Sequence, residues 1–444
     1  MPARPSASAE ARRVSLASAI GTTIEWYDFF IYGTAAATVF GPQFFPQVSE
    51  LAGTLASFAT FGIGFIARPL GGVVMGHYGD RLGRKFMLVW SLLLMGGATL
   101  AIGLLPTYAQ IGVWAPVLLV LLRFVQGFAL GGEWGGAVLM SVEHAPEGRR
   151  GVFGSVVALG LPAGIVLSNL VFLIASTAVA AEDFAAWAWR LPFVASAVLV
   201  GVGLWVRLGI SESPVFARTL QAHAARRMPI LDVLRVDART VLLAAGTYLS
   251  ISSLGYVVLV YFVTYATRRL GLSLPVTLTI IIVGALVATP SIVFFAHWSD
   301  RVGRRRMMQW GLGALALWSL VFFPLADTGS VPLVFLSVAG MLFIQGAYLG
   351  PQPAVFSELF PTAVRYSGAS LSLTLATVFG GAIAPIVATY LFGLTGTSSL
   401  VTVYITAVSV VSWLCSFGIP ETFRDSLAHR EAAPWTQGRQ APPR

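Results

Sequence analysis

The sequence predicts an all-α membrane protein in which twelve transmembrane helices form two pseudo-symmetric six-helix bundles. Composition gives the first reason: 56% of the 444 residues are hydrophobic and only 11% are charged, against roughly 25% charged residues in soluble globular domains. The second reason is a basic motif that occurs twice, as GHYGDRLGRK at 76–85 and as AHWSDRVGRR at 296–305. A repeat at about half the length of the chain indicates two homologous halves.

Apolar stretches of about 20 residues, the length that crosses a bilayer, recur along the chain and define the predicted spans. The first stretch is long and is followed by many others, so we expect it to remain as a helix rather than to be cleaved as a signal peptide. The predicted spans are 16–40, 52–76, 86–105, 114–140, 152–179, 190–209, 240–267, 275–297, 307–325, 332–350, 367–394 and 401–418.

These spans divide the chain into five predicted regions. A polar segment at 1–15 comes before the first bundle, which occupies 16–209. A polar, arginine-containing linker at 210–239 joins it to the second bundle, at 240–419. The last region, 420–444, is charged and contains proline and glutamine, a composition typical of disordered tails.

Basic residues predict the orientation of the spans, because positive charges accumulate in cytoplasmic loops. If the amino terminus is cytoplasmic, both basic motifs, the linker and the tail lie on the same side as it. Only Arg268 and Arg269 then fall in an outer loop, and Arg190 begins helix 6. We therefore expect both termini to be cytoplasmic. The net charge of +9 reflects this topology and attraction to anionic lipid head groups, and we expect no nucleic-acid partner.

The sequence gives no sign of a metal site or of enzymatic chemistry. Its single cysteine, Cys415, excludes a disulfide framework and a cysteine-based metal site. It contains no HExxH, Walker-loop or GxSxG motif, and its five histidines fall in predicted loops, the linker or the tail, or at the end of a span. We expect no catalytic residue, no metal and no cofactor, and the protein is not predicted to be an enzyme.

The duplicated motif carries a family resemblance. Asp80, Arg81, Gly83 and Arg84 in a DRxGRK arrangement, repeated in the second half, resemble the signature of the major facilitator superfamily. More narrowly, GTTIEWYDFFIYG in helix 1, ARPLGG in helix 2 and LRFVQGFALGGEWGGA in helix 4 resemble the metabolite:proton symporter family, and within it the shikimate and related organic-acid permeases. The resemblance extends from helix 1 to helix 12.

The resemblance implies the major facilitator fold and proton-coupled symport of a small organic acid by alternating access. It implies a monomeric, multi-pass protein of a bacterial plasma (inner) membrane, whose partners are a small-molecule metabolite, protons as the coupling ion and membrane lipids. Two alternatives use the same fold. One is a carrier of a zwitterionic osmolyte such as proline or betaine, and the other is proton-coupled drug efflux.

Five ionisable residues fall inside predicted spans, where a charged side chain costs at least ~2.5 to 3.5 kcal/mol. All five, Glu25, Asp28, Arg68, Arg123 and Glu133, belong to the first half, and the aligned positions of the second half are uncharged. Function is therefore best sought where the second copy does not repeat the first.

Proton coupling is predicted for Asp28 first and Glu25 second. Glu25 and Asp28 are three residues apart, and Asp28 and Tyr32 four apart, so all three project from one helix face. Two close carboxylates at bilayer depth favour one of them holding a proton near physiological pH. The superfamily's RxxQG pattern in helix 4 offers Arg123 a part in coupling, and Glu133 is a fourth candidate. The alternative for each is an ion pair that only holds the bundle together.

Substrate contacts are expected from side chains that face the space between the halves. The fork of an arginine suits a carboxylate, although pairing with a protein carboxylate is equally economical. A set of glycines in helix 4 predicts close helix approach: Gly127, Gly131, Gly132, Gly135 and Gly136. The candidate substrate residues are Arg68, Arg123, Tyr32, Trp26, Gln126, Tyr248, Tyr256, Gln345 and Gln352.

A gate is predicted from the duplicated basic motifs and from a second repeated element, E-x2-P-x3-R, after helices 4 and 10. We expect their charges to pair when the inner side is closed and to separate when the halves rock. The alternative is structural: solvated turns with caps and ion pairs. The candidate gating residues are Asp80, Arg81, Gly83, Arg84, Glu143, Arg150, Asp300, Arg301, Gly303, Arg304, Glu358 and Arg365.

Overall fold

The computed structural model describes residues 7–82, 84–132, 141–142, 150–208, 229–361 and 364–423. These ranges are almost entirely helical, and they contain no β-strand. A helix satisfies all of its backbone hydrogen bonds internally, which is what a chain surrounded by hydrocarbon requires. The apolar sequence is therefore folded in the way that its composition predicts.

The first half supplies six long helices. Short helices, Phe40–Phe44, Tyr108–Ile111 and Ala181–Ala186, lie between some of them. A separate segment, Arg150–Ala158, leads into the fifth. The six are α1 (Ala7–Thr38), α2 (Glu50–Leu82), α3 (Arg84–Leu104), α4 (Trp114–Ala129), α5 (Gly160–Ala178) and α6 (Leu191–Leu208).

The second half repeats this arrangement, which confirms the predicted twelve-helix fold. Two of its helices contain a π-helical turn: α7 continues through Val257–Tyr261 to Phe262–Arg268, and α11 through Thr377–Ala382 to Ala384–Thr395. The segment Gln352–Leu359 follows the tenth. The six are α7 (Pro229–Tyr256), α8 (Leu274–Val302), α9 (Arg304–Ala326), α10 (Val331–Leu349), α11 (Arg365–Ala376) and α12 (Ser399–Ser416).

Length and composition agree with membrane insertion. Within the described ranges, nine helices are long and apolar enough to cross a bilayer, and two shorter apolar helices cover Val89–Leu104 and Trp114–Ala129. Among the described residues, the two halves meet where α1 packs against α7, α2 against α11 and α5 against α8, and where the segment Arg150–Ala158 packs against Gln352–Leu359. Residues that these six helices direct inward therefore lie between the halves.

The duplicated motifs are mostly helical, which corrects the expectation that they form loops. In the first copy α2 runs to Leu82 and α3 begins at Arg84. In the second, only Gly303 separates α8 from α9, and its φ of 111° is one that glycine adopts without strain. Helices α2 and α8, with 33 and 29 residues, are longer than the roughly 20 residues that cross the hydrocarbon core. The polar motif therefore continues the helix beyond it.

The junction between the halves differs in detail from the expected linker. Helix α7 begins at Pro229, and Asp237 interrupts it with φ of −149° and ψ of 48°. Part of the stretch expected to be a linker is thus helical. Residues 209–228 and the tail from 424 onward lie outside the described residues.

Glycines bring α2 and α4 into close contact. A Cβ atom at Gly127 would overlap the backbone of Gly64, and one at Gly131 would overlap the backbone of Arg68 and Gly72. The predicted close approach at Gly127 and Gly131 is confirmed. Because these helices touch, Arg68 of α2 and Arg123 of α4 both pack against the ring of Phe29 and lie within electrostatic range of each other.

Candidate functional site

Asp28 lies at one end of a buried chain of polar side chains. Its Oδ2 is 3.1 Å from Thr99 Oγ1, which accepts a hydrogen bond from Gln126 Nε2 at 2.7 Å. Gln126 Oε1 in turn accepts one from Arg123 Nη1 at 2.6 Å. Asp28, Gln126 and Arg123 are all 0% exposed. Three helices, α1, α3 and α4, therefore hold the carboxylate and the guanidinium together through two intervening side chains.

Aromatic rings surround the Arg123 guanidinium. Its Cζ lies 4.1 Å from the ring centre of Phe29, 4.2 Å from that of Tyr32 and 4.9 Å from that of Phe61. Its Nε and Nη2 also lie 3.5 Å from the Phe61 carbonyl oxygen. The faces of aromatic rings attract cations most strongly where water is excluded. The ring cluster therefore stabilises a buried positive charge that Asp28 does not touch directly.

Glu25 and Arg68 form a second buried pair. Arg68 Nη2 lies 3.9 Å from Glu25 Oε1, and the Arg68 side chain is 13% exposed. This separation is within ion-pair range and too long for a direct hydrogen bond. The guanidinium also packs against Phe29, at 4.4 Å, and Phe65, at 5.1 Å. Nε and Nη2 of Arg68 have no hydrogen-bond partner within the described part of the chain.

The predicted grouping on helix 1 is thus divided between different partners. Glu25 faces Arg68 of α2, Asp28 faces Thr99 of α3, and Tyr32 donates to Thr60 Oγ1 at 2.7 Å while its ring packs on Arg123. The two carboxylates belong to two separate acid–base assemblies.

A cavity of about 40 Å³ lies between the halves, with room for roughly three water molecules. Trp26 and Phe30 of α1 form one wall, and Trp26 stacks on Phe30 at 5.5 Å. Tyr248 and Tyr256 of α7 face them. The full lining also includes Leu161, Pro162, Ile165, Ile251, Ser252, Gly255, Leu259, Ala285, Ala288, Ile292, Leu342, Gln345 and Leu349.

Polar atoms converge on this largely apolar cavity. Among the described residues, Ser252 Oγ, Tyr256 Oη and Gln345 Nε2 have no hydrogen-bond partner. Buried polar groups are nearly always hydrogen-bonded, so three such atoms on one cavity are typical of a ligand site. Glu25 and Arg68 do not line the cavity, but they are within electrostatic range of Tyr248 and Tyr256, which do.

The other predicted substrate residues do not line this cavity. Gln352 is buried and its Nε2 has no partner among the described residues, but it does not line the cavity. Arg123, Gln126 and Tyr32 belong to the first assembly. Of the predicted substrate residues, the structure brings together Trp26, Tyr248, Tyr256 and Gln345 around the cavity, with Arg68 beside them.

One end of the bundle, which we call the basic end, is defined by Arg150, Asp300, Arg304 and Glu358. Arg150 Nη1 lies 3.5 Å from Glu358 Oε1, and Arg304 Nη1 also pairs with Glu358. Arg304 Nη2 is 3.3 Å from Asp300 Oδ1, which accepts a hydrogen bond from the Gly151 backbone N–H at 3.2 Å. These four predicted gating residues therefore meet, and they link the two halves.

The segment after α12 joins this cluster. Thr422 Oγ1 donates to Glu358 Oε2 at 2.7 Å, and Glu421 accepts from the backbone N–H groups of Arg304 and Arg305 at the start of α9. Arg365 Nε donates to the Phe360 carbonyl oxygen at 3.3 Å, and Arg301 is exposed. Glu133, Glu143 and Gly83 lie outside the described residues, as do the side chains of Asp80, Arg81 and Arg84.

The halves also touch at the opposite end, which we call the far end and define by Glu50 and Arg268. Arg268 Nη1 is 2.8 Å from Glu50 Oε1 and 3.0 Å from Thr54 Oγ1. Thr264 Oγ1 donates to the Ala37 carbonyl oxygen at 2.9 Å. The cavity is thus bounded by contacts between the halves at both ends.

Sequence reasoning missed several residues of the site. Thr99 carries no signal, because a lone threonine in an apolar helix usually bonds its own backbone. Thr99 does so as well, at 2.9 Å from the Met95 carbonyl oxygen. Phe29, Phe61 and Phe65 were equally hard to find, because aromatic residues in a membrane helix are expected on any face.

A helical membrane bundle in two halves, with buried charges beside a cavity between them, defines a membrane transporter. The chain belongs to the Major Facilitator Superfamily, whose family model matches residues 18–385. Within that superfamily the metabolite:proton symporter family fits it.

Known relatives agree with this assignment. The chain is 42% identical to the "Inner membrane metabolite transport protein YhjE" of Escherichia coli strain K12, over 94% of this chain and 95% of the relative. It is 41% identical to the "Shikimate transporter" of the same strain, over 90% and 93%. It is 31% identical to a "Putative proline/betaine transporter" of Staphylococcus aureus strain COL, over 91% and 87%.

The fold also matches solved structures. A crystal structure of a D-xylose-proton symporter superposes with a TM-score of 0.72 at 19% identity, over 93% of this chain and 98% of that one. The protein is therefore a secondary transporter of metabolites and not an enzyme. A multi-pass inner-membrane location fits its family and its bacterial relatives.

Proposed function

We propose that this transporter imports a small organic acid together with protons, by alternating access between its two halves. The observation that carries the proposal is the division of the buried charges into two assemblies. One, Arg68 with Glu25, is within electrostatic range of the cavity tyrosines Tyr248 and Tyr256 and has guanidinium nitrogens without hydrogen-bond partners among the described residues. The other, Asp28 with Arg123, is fully buried. A symporter requires one site for its anion and one for its proton.

The substrate carboxylate is proposed to bind Arg68. An arginine fork matches a carboxylate in a bidentate manner, and Glu25 is the group with which the substrate competes. Ser252, Tyr256 and Gln345 are proposed to bind hydroxyl or carbonyl oxygens of the substrate, while Trp26 covers its apolar face. A hydroxylated cyclic acid such as shikimate has this combination of groups, and the 41% identical relative is named for shikimate.

The coupling proton is proposed to bind Asp28, with no other cofactor. While Asp28 is ionised, its charge offsets that of Arg123 through Thr99 and Gln126. Protonation leaves the positive charge of Arg123 without compensation, in surroundings where charges interact over long distances because water is excluded. An anion in the neighbouring cavity is then favoured, so proton and substrate binding support each other.

Orientation and gating complete the proposal. The basic end is proposed to face the cytoplasm, with both termini, because positive residues accumulate there. The cluster of Arg150, Asp300, Arg304 and Glu358 is the proposed inner gate, and Arg268 with Glu50 closes the outer side. We propose that one chain suffices for transport, since the cavity lies between the two halves of the same chain.

A zwitterionic substrate is the second candidate, favoured by the aromatic wall of the cavity. Trp26, Phe30 and Tyr256 offer ring faces to a quaternary ammonium group, while Arg68 would hold its carboxylate. The 31% identical relative is named for proline and betaine. Proton-coupled drug efflux is the third reading and predicts movement in the opposite direction.

Uptake by purified protein in proteoliposomes distinguishes these readings. With an imposed inward proton gradient, we expect radiolabelled shikimate or another organic acid to accumulate, and an uncoupler to abolish the accumulation. Betaine accumulation with no uptake of acids supports the second candidate. Gradient-driven loss of a cationic dye, without uptake of either, contradicts import.

The Arg68→Lys variant tests the substrate site. It keeps the charge and loses the fork, so we expect KM for the acid to rise by about 10- to 100-fold, the equivalent of one lost charge-assisted hydrogen bond. Arg269→Lys, a change at an exposed position, is the matched control. An unchanged KM in the Arg68 variant would remove Arg68 from the binding site.

A further inference from the structure

The Thr99 hydroxyl has three hydrogen-bonding neighbours, and while Asp28 is ionised two of them are acceptors. Its Oγ1 lies 3.1 Å from Asp28 Oδ2, 2.9 Å from the Met95 carbonyl oxygen and 2.7 Å from Gln126 Nε2. The amide nitrogen of Gln126 is a donor, because Gln126 Oε1 accepts from Arg123. The hydroxyl therefore accepts from Gln126 and has one proton for two possible acceptors.

The protonation state of Asp28 decides which acceptor receives that proton. An ionised carboxylate only accepts hydrogen bonds, so Thr99 then donates to Asp28 Oδ2. A protonated carboxyl group donates, so Asp28 then donates to Thr99 Oγ1, and the hydroxyl turns its own proton to the Met95 carbonyl oxygen. A hydroxyl accepts through two lone pairs, so it keeps the Gln126 bond in both states. Both arrangements use the same heavy-atom positions, and Asp28 Oδ1 has no hydrogen-bond partner among the described residues in either of them.

We propose that Thr99 is a positioning residue for proton coupling: its hydroxyl turns between Asp28 and the Met95 carbonyl oxygen each time Asp28 gains or loses a proton. The proton comes from water and forms an O–H bond at the carboxyl group, and the reverse step returns it to water. This inference rests on the proposed role of Asp28 as the proton carrier. It adds the residue that makes both charge states of Asp28 compatible with one packed geometry.

The surroundings of Asp28 leave few other groups for this role. The ionisable side chains within electrostatic range of Asp28 are Arg123 of α4 and Tyr27 of its own helix, and Glu25 and Tyr32 lie about one turn away on that helix. Arg68 of α2 and Tyr256 of α7 are within electrostatic range of Arg123. Tyr27 is engaged with the Pro192 carbonyl oxygen at 2.7 Å. Helix α5, which packs along α1, contains no ionisable residue in Gly160–Ala178, and Arg207 of α6 comes in its last turn. Within the described part of the chain, Thr99 is the side chain that hydrogen-bonds the carboxyl group.

Infrared difference spectroscopy of the purified protein between acidic and neutral pH tests the proposal without any substrate. We expect a carboxylic-acid carbonyl band in the wild type that is absent from Asp28→Asn. Thr99→Val has the same shape without the hydroxyl, so the band should move to higher frequency as its hydrogen bond is lost. Thr99→Ser should restore the original frequency. A residue that only packs would not move this band.

Transport supplies a second readout. Thr99→Val should lower proton-driven accumulation by about tenfold or more, the effect of losing a hydrogen bond to a charged group, and Thr99→Ser should recover most of it. Thr389→Val is the matched control, because this buried threonine donates to the Pro385 carbonyl oxygen of its own helix. Thr99→Ala serves in its place if Thr99→Val does not fold.

The outcomes separate this inference from the proposal on which it rests. A band that Asp28→Asn removes but Thr99→Val or Thr99→Ala leaves in place overturns the role of Thr99 and keeps Asp28 as the proton carrier. Spectra in which Asp28→Asn removes no band overturn both. A shifted band that Thr99→Ser restores supports both.

Discussion

Arg150 Nη1 lies 3.5 Å from Glu358 Oε1, so an arginine of the first half of the chain pairs with a carboxylate of the second half across the basic end. The side chains are 12% and 2% exposed. Arg304 and Thr422 bind the same carboxyl group. Glu358 is therefore the point at which three parts of the chain converge when this end is closed.

Glu358→Gln is expected to open the basic end. The change removes the carboxylate that Arg150 and Arg304 share, although Arg304 keeps Asp300, and breaking a buried ion pair from one side typically costs about 3 to 5 kcal/mol. The closed arrangement should become less populated.

The measurement is maleimide labelling of a cysteine introduced by Ala354→Cys, a buried position at this interface, in a Cys415→Ser background. Labelling should be at least about tenfold faster. Arg301→Gln, at an exposed position, should have no such effect, and equal rates in both variants would contradict the gate.

Asp28→Asn is expected to abolish uphill uptake while leaving counterflow exchange partly intact. The amide cannot carry a proton, but it fills the same buried position beside Thr99. Accumulation and exchange are both measured in proteoliposomes. Asp183→Asn, in an exposed short helix, is the control and should behave as the wild type. Full accumulation by the Asp28 variant would reject this residue as the obligatory proton carrier.

Arg123→Lys is expected to impair transport, although the positive charge is kept. An ammonium group cannot bind Gln126 and the Phe61 carbonyl oxygen while stacking between Phe29 and Tyr32, as the planar guanidinium does. We expect proton-driven uptake to fall by about 10- to 100-fold. Uptake rates near those of the wild type would show that only the charge matters. Arg301→Lys should leave uptake unchanged.

Gly64→Ala is expected to disturb Arg123 through packing alone. A Cβ atom at this position would lie 2.6 Å from Arg123 Nε and 3.0 Å from its Cζ, so the guanidinium must shift. Overpacking of this kind costs about 1 to 3 kcal/mol, and both Tm and transport should fall. Gly97→Ala is the matched control: nothing lies within 4 Å of its added methyl group, and alanine is the better helix former. Loss of function in both variants would contradict a specific effect on Arg123.

The fold was largely predictable because its signals are periodic and repeated. The apolar stretches gave the twelve helices, and the duplicated motif gave the two halves. What the sequence could not give is how the motif ends a helix. Gly303 has a positive φ, and that single residue replaces the expected loop. The π turns at Val257–Tyr261 and Thr377–Ala382 were equally invisible, because one extra residue in a helix leaves no mark in composition.

The site was predictable in its members and less so in its partnerships. Glu25, Asp28, Arg68 and Arg123 stand out because charges are rare in membrane helices. Their spacing predicted a shared face, but which helix each one meets depends on packing between helices that are distant in sequence. Thr99 links Asp28 to the rest of its assembly and is 71 residues away from it. No local pattern identifies such a residue.

The small size of the central cavity has a consequence for the transport cycle. A space of about 40 Å³ accommodates water and excludes a metabolite. The halves also touch at both the basic end and the far end. This closed form therefore matches the carrier on its return stroke, after the cargo has left. The loaded form must enclose a larger volume and bury less protein against protein, so the two crossings of the membrane have different barriers. The slower of the two crossings limits turnover. The rate of the unloaded crossing depends on the side chains that fill the central cavity when no substrate is bound.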